Sequence, residues 1–271
     1  MHPEPPEPVV DLGLSVPGAF SFKRPFAADR EVRGSAYYPY GTDAGGQLLL
    51  HHGNDIGNPA GTPVLAVGPG VVTYAGDDAS VRFGPTTDFY GNLVVIRHSS
   101  PDAIGEGASD GRPLYSLYGH LSETRVNAGD VVEAGDVIGL VGATGIAMGP
   151  HLHIEFRTTD RDYGATLNPA LLMEHLSGHG AIVGRLVGDN GQPVPRGPVS
   201  LYRVTDSGAD WDSSTVTYPT QPVNSSAWGE NFVFADLPAG TYAVAASGRP
   251  VSDGASVVVP AGGAVGVVIK R

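Results

Sequence analysis

The residues of this chain best placed to do chemistry are two histidines one position apart, in Gly149-Pro150-His151-Leu152-His153-Ile154-Glu155-Phe156-Arg157. Successive side chains of a strand point to opposite faces, so His151 and His153 share one face and Leu152 takes the other. Two imidazoles aimed at one point suggest a metal. With nine histidines in 271 residues, this spacing arises by chance about 0.3 times, so the pair needs company.

A second pair lies in His51-His52-Gly53-Asn54-Asp55. The even spacing permits His51 and Asp55 to share a face of an extended segment, while Gly53 and Asn54 also allow a turn. A catalytic zinc site takes three nitrogen or oxygen ligands and leaves a fourth position for water, and two histidines with one aspartate meet that count. The chain has no cysteine, which excludes thiolate ligands, disulfides and cysteine nucleophiles. The H-E-x-x-H helix of other zinc proteases is absent. A further histidine, His120 in Leu117-Tyr118-Gly119-His120-Leu121-Ser122, is placed between a strand and a loop.

The elements that must carry these residues read as strands. From Phe20 to about Phe156, short β-branched runs are broken by glycine: residues 62–67, 70–75, 92–98, 114–118, 130–134 and 137–141. One short helix is expected over Asn168–Leu176, with Asn168 as N-cap and Pro169 in the first turn. After Gly180 the texture changes to strands at 181–187, 198–204, 231–235, 241–246, 255–259 and 265–269, a pattern that suggests a small β-sandwich.

The blocks His51 to Asp55 (H-x-G-x-D), Gly61-Thr62-Pro63-Val64, Tyr90-Gly91-Asn92, Tyr118-Gly119-His120-Leu121, Val141-Gly142-Ala143-Thr144-Gly145 and Gly149-Pro150-His151-Leu152-His153 occur in one order between about residues 40 and 169. In these the chain resembles the lysostaphin/LytM-type zinc metalloendopeptidases, hydrolases of bacterial peptidoglycan. The resemblance implies a mainly β fold, with an open antiparallel β-sheet groove as the peptidase domain. It implies Zn2+ held by His51, Asp55 and His153, with His120 and His151 as catalytic residues beside the metal. It also implies peptide cross-bridges or stem peptides as substrate. The alternative within the family is a catalytically inactive relative that binds peptidoglycan or activates an amidase. This chain departs from the family in lacking a tyrosine just before His51, which directs attention to Tyr40, and in a long loop at Ser99–Pro113 with Asp102, Glu106 and Asp110. The last 90 residues or so resemble transthyretin-like domains through Gly191-Gln192-Pro193-Val194 and Leu237-Pro238-Ala239-Gly240-Thr241-Tyr242.

The expected organisation is therefore a proline-rich tail or linker (1–18), a metallopeptidase domain (19–178) and a β-sandwich accessory domain (179–271) that could bind a wall or surface glycan. The net charge of -12 is concentrated in residues 1–177, with 10 basic and 21 acidic side chains against 6 and 7 in residues 178–271. Without a basic stripe, nucleic-acid and anionic-lipid partners are not expected. No run approaches a membrane span, and residues 1–18 lack a signal-peptide core. A mature protein of the cell envelope or outside it is expected. His52, His98, His175 and His179 fit no ligand position and are expected to be solvated or hydrogen-bonded. Lys23 and Lys270, the only lysines, stand in no tight hairpin, which argues against a biotinyl or lipoyl carrier.

Overall fold

A computed structural model describes residues 21–98, 113–219, 229–248, 252 and 255–271. The expected tail and nearly all of the acidic loop after Ser99 lie outside the described residues. The chain divides into two compact units, with a sequence boundary between Glu174 and His175.

The unit before that boundary is a nine-stranded sheet in which every pairing is antiparallel. Its strands are β1 (Asn54–Ile56), β2 (Pro63–Leu65), β3 (Gly70–Asp77), β4 (Asn92–His98), β5 (Leu114–Thr124), β6 (Val131–Val132), β7 (Val137–Val141), β8 (Leu152–Arg157) and β9 (Thr166–Leu167). They run β1-β8-β5-β4-β3-β6, with β7 joining β5 to β2 and β9 beside β8. The central strands are apolar on both sides, because alternate residues enter two different clusters. Val94 and Ile96 of β4 join Tyr118, Leu152, Ile154 and Phe156 in the larger core, while Leu93 and Val95 join Phe83, Tyr90 and Leu117 in the smaller one. The candidate site is built on the side of the smaller cluster.

The other unit contains β10 (His179–Val187), β11 (Pro198–Thr205), β12 (Gly208–Val216), β13 (Phe232–Pro238), β14 (Gly240–Ala246), β15 (Ala255–Val259) and β16 (Ala264–Lys270). They form a three-stranded sheet, β13-β10-β16, and a four-stranded sheet, β12-β11-β14-β15. Ile182, Phe232 and Val267 from the first and Leu201, Val244 and Val257 from the second share one core. The pairing of β10 with β16 is parallel.

Two local expectations need correction. The helix expected over Asn168–Leu176 is a single 3-10 turn at Pro169–Leu171, although Asn168 does cap it by accepting from the Ala170 N–H. It stops because Phe22 takes the backbone that would continue it: Phe22 N–H donates to Leu172 O at 2.9 Å and Glu174 N–H donates to Phe22 O at 2.7 Å. Strand β5 also continues past Tyr118 to Thr124, so His120 lies inside a strand and not after one.

Candidate active site

Asp55 and His153 are directly opposite each other in the β1–β8 ladder. Side chains of such a pair stand on the same face of a sheet, within reach of one another, and here His153 Nδ1 lies 2.8 Å from Asp55 Oδ1. His51 reaches in from the segment before β1, held by backbone bonds to Thr42 and Gly41. Its Nε2 lies 3.2 Å from Asp55 Oδ1 and 3.3 Å from His153 Nδ1. The three residues are the one group of metal-ligating side chains among the described residues, their donor atoms within 4.8 Å of one another.

These separations fit a metal. Ligand atoms at tetrahedral positions about 2.0–2.1 Å from an ion stand about 3.3 Å apart, and two of the observed separations, 3.2 and 3.3 Å, are close to that spacing while the third, 2.8 Å, is shorter. Two imidazoles and a carboxylate are also the donor set that a borderline-soft divalent ion accepts.

His120 and His151 complete the cluster by different routes. His151 lies two residues before His153 on the same strand face, bridged across to Gly142, and its ring packs 4.8 Å from that of His120. His120 would point away from this face by simple alternation, since Gly119 is the residue opposite His153. The register between β4 and β5 shifts between Asn92 and Val94, and His120 has a positive φ of 61°. An extra residue in a strand re-aims the side chains that follow it, so the bulge brings His120 to the side of His151 and His153.

Each of the four imidazoles is anchored through one nitrogen, which assigns the other to the site. His51 Nδ1 lies 2.5 Å from Tyr38 O, His120 Nδ1 2.9 Å from Thr144 O and His151 Nδ1 2.8 Å from Gly149 O. A carbonyl only accepts, so each of these Nδ1 atoms carries hydrogen. His153 is reversed: its Nε2 faces Glu155 Oε1 at 3.0 Å, leaving Nδ1 for Asp55 and His51.

The electrostatics suit a cation. Burial raises the Asp55 carboxyl, but hydrogen bonds from His153 and His51 outweigh it and hold the group far below the usual carboxylate range. Burial lowers His153, yet its bonds to Asp55 and Glu155 raise it to about 9. Without a metal, a proton is what these two carboxylates hold on the imidazole, in the place a cation would take. His120 is pushed down to about 4, first by burial and then by the neighbouring His153 and His151, and so is neutral near pH 7.

Sequence reasoning passed over several contributors. Glu155 and Arg157 continue the period-two face of His151 and His153, and Tyr90 Oη donates to Glu155 Oε1 at 2.5 Å. Tyr40 is buried and bonded to Thr166, with its hydroxyl 3.0 Å from the Thr166 carbonyl, so it does not serve the site as expected. Tyr38 stands there instead, its ring stacked on His51 at 4.1 Å. Thr144 ties the Val141–Gly145 block to the site, donating to Leu121 O as its own carbonyl receives His120. Of the remaining histidines, His52 faces Thr166 Oγ1 at 3.2 Å and His98 is hydrogen-bonded through both ring nitrogens.

Comparison with known proteins bears on the same segment. The model of peptidase family M23 matches residues 49–169, which include all five of these residues. The DD-carboxypeptidase/endopeptidase Mpg of Neisseria meningitidis is 38% identical over 120 residues, 44% of this chain and 22% of that protein. The peptidoglycan DD-endopeptidase ShyC of Vibrio cholerae is 38% identical over 111 residues, 41% of this chain and 21% of that protein. This chain thus spans about a fifth of the length of these relatives. Among solved structures, a mutant catalytic domain of the prophage-encoded M23 protein EnpA from Enterococcus faecalis is 28% identical, with a TM-score of 0.41 over 55% of this chain and 95% of that one. This chain carries, over residues 49–169, a domain of peptidase family M23.

Proposed function

We propose that this chain is a zinc-dependent endopeptidase that hydrolyses peptide bonds in the cross-links or stem peptides of bacterial peptidoglycan. The observation that carries the reading is the convergence of His51 Nε2, Asp55 Oδ1 and His153 Nδ1 at 2.8–3.3 Å from one another, with two further histidines beside them. The substrate class is supported by the names of the M23 relatives, DD-endopeptidases of peptidoglycan.

When bound, zinc supplies Lewis acidity and makes water acidic enough to deprotonate near neutrality. His51, Asp55 and His153 would hold it. His120 and His151 divide the proton work. His120 presents an unprotonated Nε2 from a fixed, buried ring and is the acceptor for the proton of the attacking water. His151 is the more exposed of the two, its side chain 18% accessible with Nε2 3.5 Å from Asp55 Oδ1, and it takes up at Nε2 the proton that His120 accepted and gives it to the departing amine. The groups need no rearrangement to act, because each ring is already anchored through its other nitrogen.

Such a substrate places the working protein in the cell envelope or outside the cell. Among the described residues no helix is long and apolar enough to cross a membrane. The second unit, with its own core, is taken as an accessory domain that binds a wall or surface glycan. The reading is tested by mass spectrometry of muropeptides released from isolated walls by zinc-loaded protein. New amino and carboxyl termini within the peptides are expected, and intact peptides would reject it.

A further inference from the structure

Strand β8 buries a glutamate and an arginine that the proposed chemistry does not use. Glu155 and Arg157 are both fully buried, beside the smaller apolar cluster that contains Tyr90 and Phe83. A buried ion pair is no more stabilising than a well-packed apolar pair and is often less so. The opposite face of the same strand, Leu152, Ile154 and Phe156, shows that apolar residues are accommodated there. The charged pair therefore calls for another explanation, which its hydrogen bonds provide.

Every polar atom of the group is engaged. Glu155 Oε2 accepts from Arg157 Nε at 2.6 Å, and Oε1 accepts from Tyr90 Oη at 2.5 Å while facing His153 Nε2 at 3.0 Å. Arg157 Nη1 donates to Phe83 O at 3.0 Å and Nη2 to Tyr90 Oη at 2.8 Å. Tyr90 is fixed in turn by buried Asp78, whose carboxylate accepts from the backbone N–H groups of Phe89, Tyr90 and Gly91 at 3.1, 3.0 and 2.9 Å. The Tyr90 carbonyl accepts from the His120 N–H at 2.8 Å. One tyrosine thus touches both the partner of His153 and the backbone of His120.

Gly53 of the H-x-G-x-D block makes room for this contact. A Cβ built there would fall 2.4 Å from Ile154 O, 2.7 Å from His153 Nε2 and 2.9 Å from Glu155 Cγ. Any other residue would push directly on the His153–Glu155 hydrogen bond.

We infer that Glu155, clamped by Arg157 and Tyr90, is the positioning residue of the site: it holds the hydrogen of His153 on Nε2 and so turns the Nδ1 lone pair toward Asp55 and His51. The inference rests on the metallopeptidase reading. A carboxylate behind a ligating imidazole fixes its tautomer and orientation, and losing such a partner costs about 10–100-fold in metal affinity.

The test uses the full chain and zinc alone. Zinc affinity is measured by competition with a chromophoric chelator, the fold is followed by near-ultraviolet circular dichroism, and the His153 ring nitrogens are followed by 15N NMR. Glu155→Gln, which exchanges a carboxylate acceptor for a neutral amide, is expected to bind zinc about 10–100-fold more weakly than wild type and to shift the hydrogen-bonded Nε2–H signal of His153. Tyr90→Phe removes one hydroxyl, leaves Glu155 paired with Arg157, and should show a smaller loss in the same direction. It decides the matter should Glu155→Gln not fold. A folded variant with wild-type zinc affinity and an unchanged His153 spectrum overturns the positioning role alone. A wild-type protein that takes up no zinc overturns the metallopeptidase reading beneath it.

Discussion

His98 should make the first unit acid-labile by an amount that can be worked from its surroundings. It is only 1% exposed, with Nδ1 2.9 Å from Pro69 O and Nε2 2.8 Å from Ser116 Oγ. The Pro69 carbonyl can only accept, so hydrogen sits on Nδ1, and Nε2 is the atom that would take up a second proton. Ser116 Oγ is 3.0 Å from Tyr118 Oη, which also accepts from the Val67 N–H at 3.0 Å. Protonating the ring would place a positive charge inside an apolar core. Burial lowers His98 to about 4, against the smaller opposing effect of the Pro69 carbonyl.

A histidine with a depressed folded-state value binds its proton more readily when unfolded, so its contribution to stability is present above the unfolded pKa and is lost as pH falls. The window runs from about 6.5 down to about 4. The full span corresponds to about 3 kcal/mol, and the step from pH 7 to pH 5 to about 2 kcal/mol. Urea unfolding at both pH values, at constant ionic strength and with excess chelator to exclude metal release, measures it. His98→Asn removes the titration. The variant is expected to be less stable at pH 7 but to lose about 2 kcal/mol less than wild type between pH 7 and pH 5. His52 and His120 titrate in both proteins and cancel in the difference. Equal losses in the two proteins would refute the buried neutral ring.

Other perturbations separate the parts of the site and of the chain. His153→Ala should abolish stoichiometric zinc by metal analysis, whereas His151→Ala should keep the metal and reduce turnover at least 100-fold, of the order expected for an acid–base group; zinc loss in the second would place His151 among the ligands. Gly53→Ala should destabilise the fold by about 1–3 kcal/mol through overpacking and weaken zinc binding with it, because the Ile154 carbonyl it meets belongs to backbone that cannot swing aside. Deleting residues 179–271 should weaken sedimentation with isolated walls and spare cleavage of a small peptide; equal loss of both would make the second unit a structural support.

Much of the sheet was legible because its strands are apolar and β-branched on at least one face. The runs at 92–98, 137–141 and 255–259 match β4, β7 and β15 to the residue. Strand β12 escaped notice because Asp210-Trp211-Asp212-Ser213-Ser214 sits at a sheet edge and is largely exposed, so it carries no apolar period. The helix over Asn168–Leu176 had correct capping chemistry, but the competitor for its backbone was Phe22, some 150 residues earlier, and local signals carry no trace of such a partner. His120 shows the same limit: its aim depends on a bulge set by register against β4, which alternation along β5 does not record. Glu155 and Arg157 were legible and passed over. The H-x-H period continues through both, but charged residues at such spacing normally mark a solvated face, and only burial reveals them as part of the site.

The two faces of β8 give one strand two tasks that depend on each other. Side-chain period in a strand is two, so a slip of one residue exchanges the faces completely. A slip here would carry His153, Glu155 and Arg157 into the larger core and set Leu152, Ile154 and Phe156 on the face that now holds the site. The glutamate and arginine would enter the apolar core without Tyr90 and Phe83 as hydrogen-bond partners, and a buried charge that loses its partner costs about 3–5 kcal/mol. The penalty for slipping thus far exceeds what any single hydrogen bond in the site contributes, about 0.5–1.5 kcal/mol. The apolar half of the strand fixes its register, and the register sets Asp55 opposite His153. The precision of the cluster therefore comes from the core beneath it, and the polar face has only to orient rings whose positions are already determined.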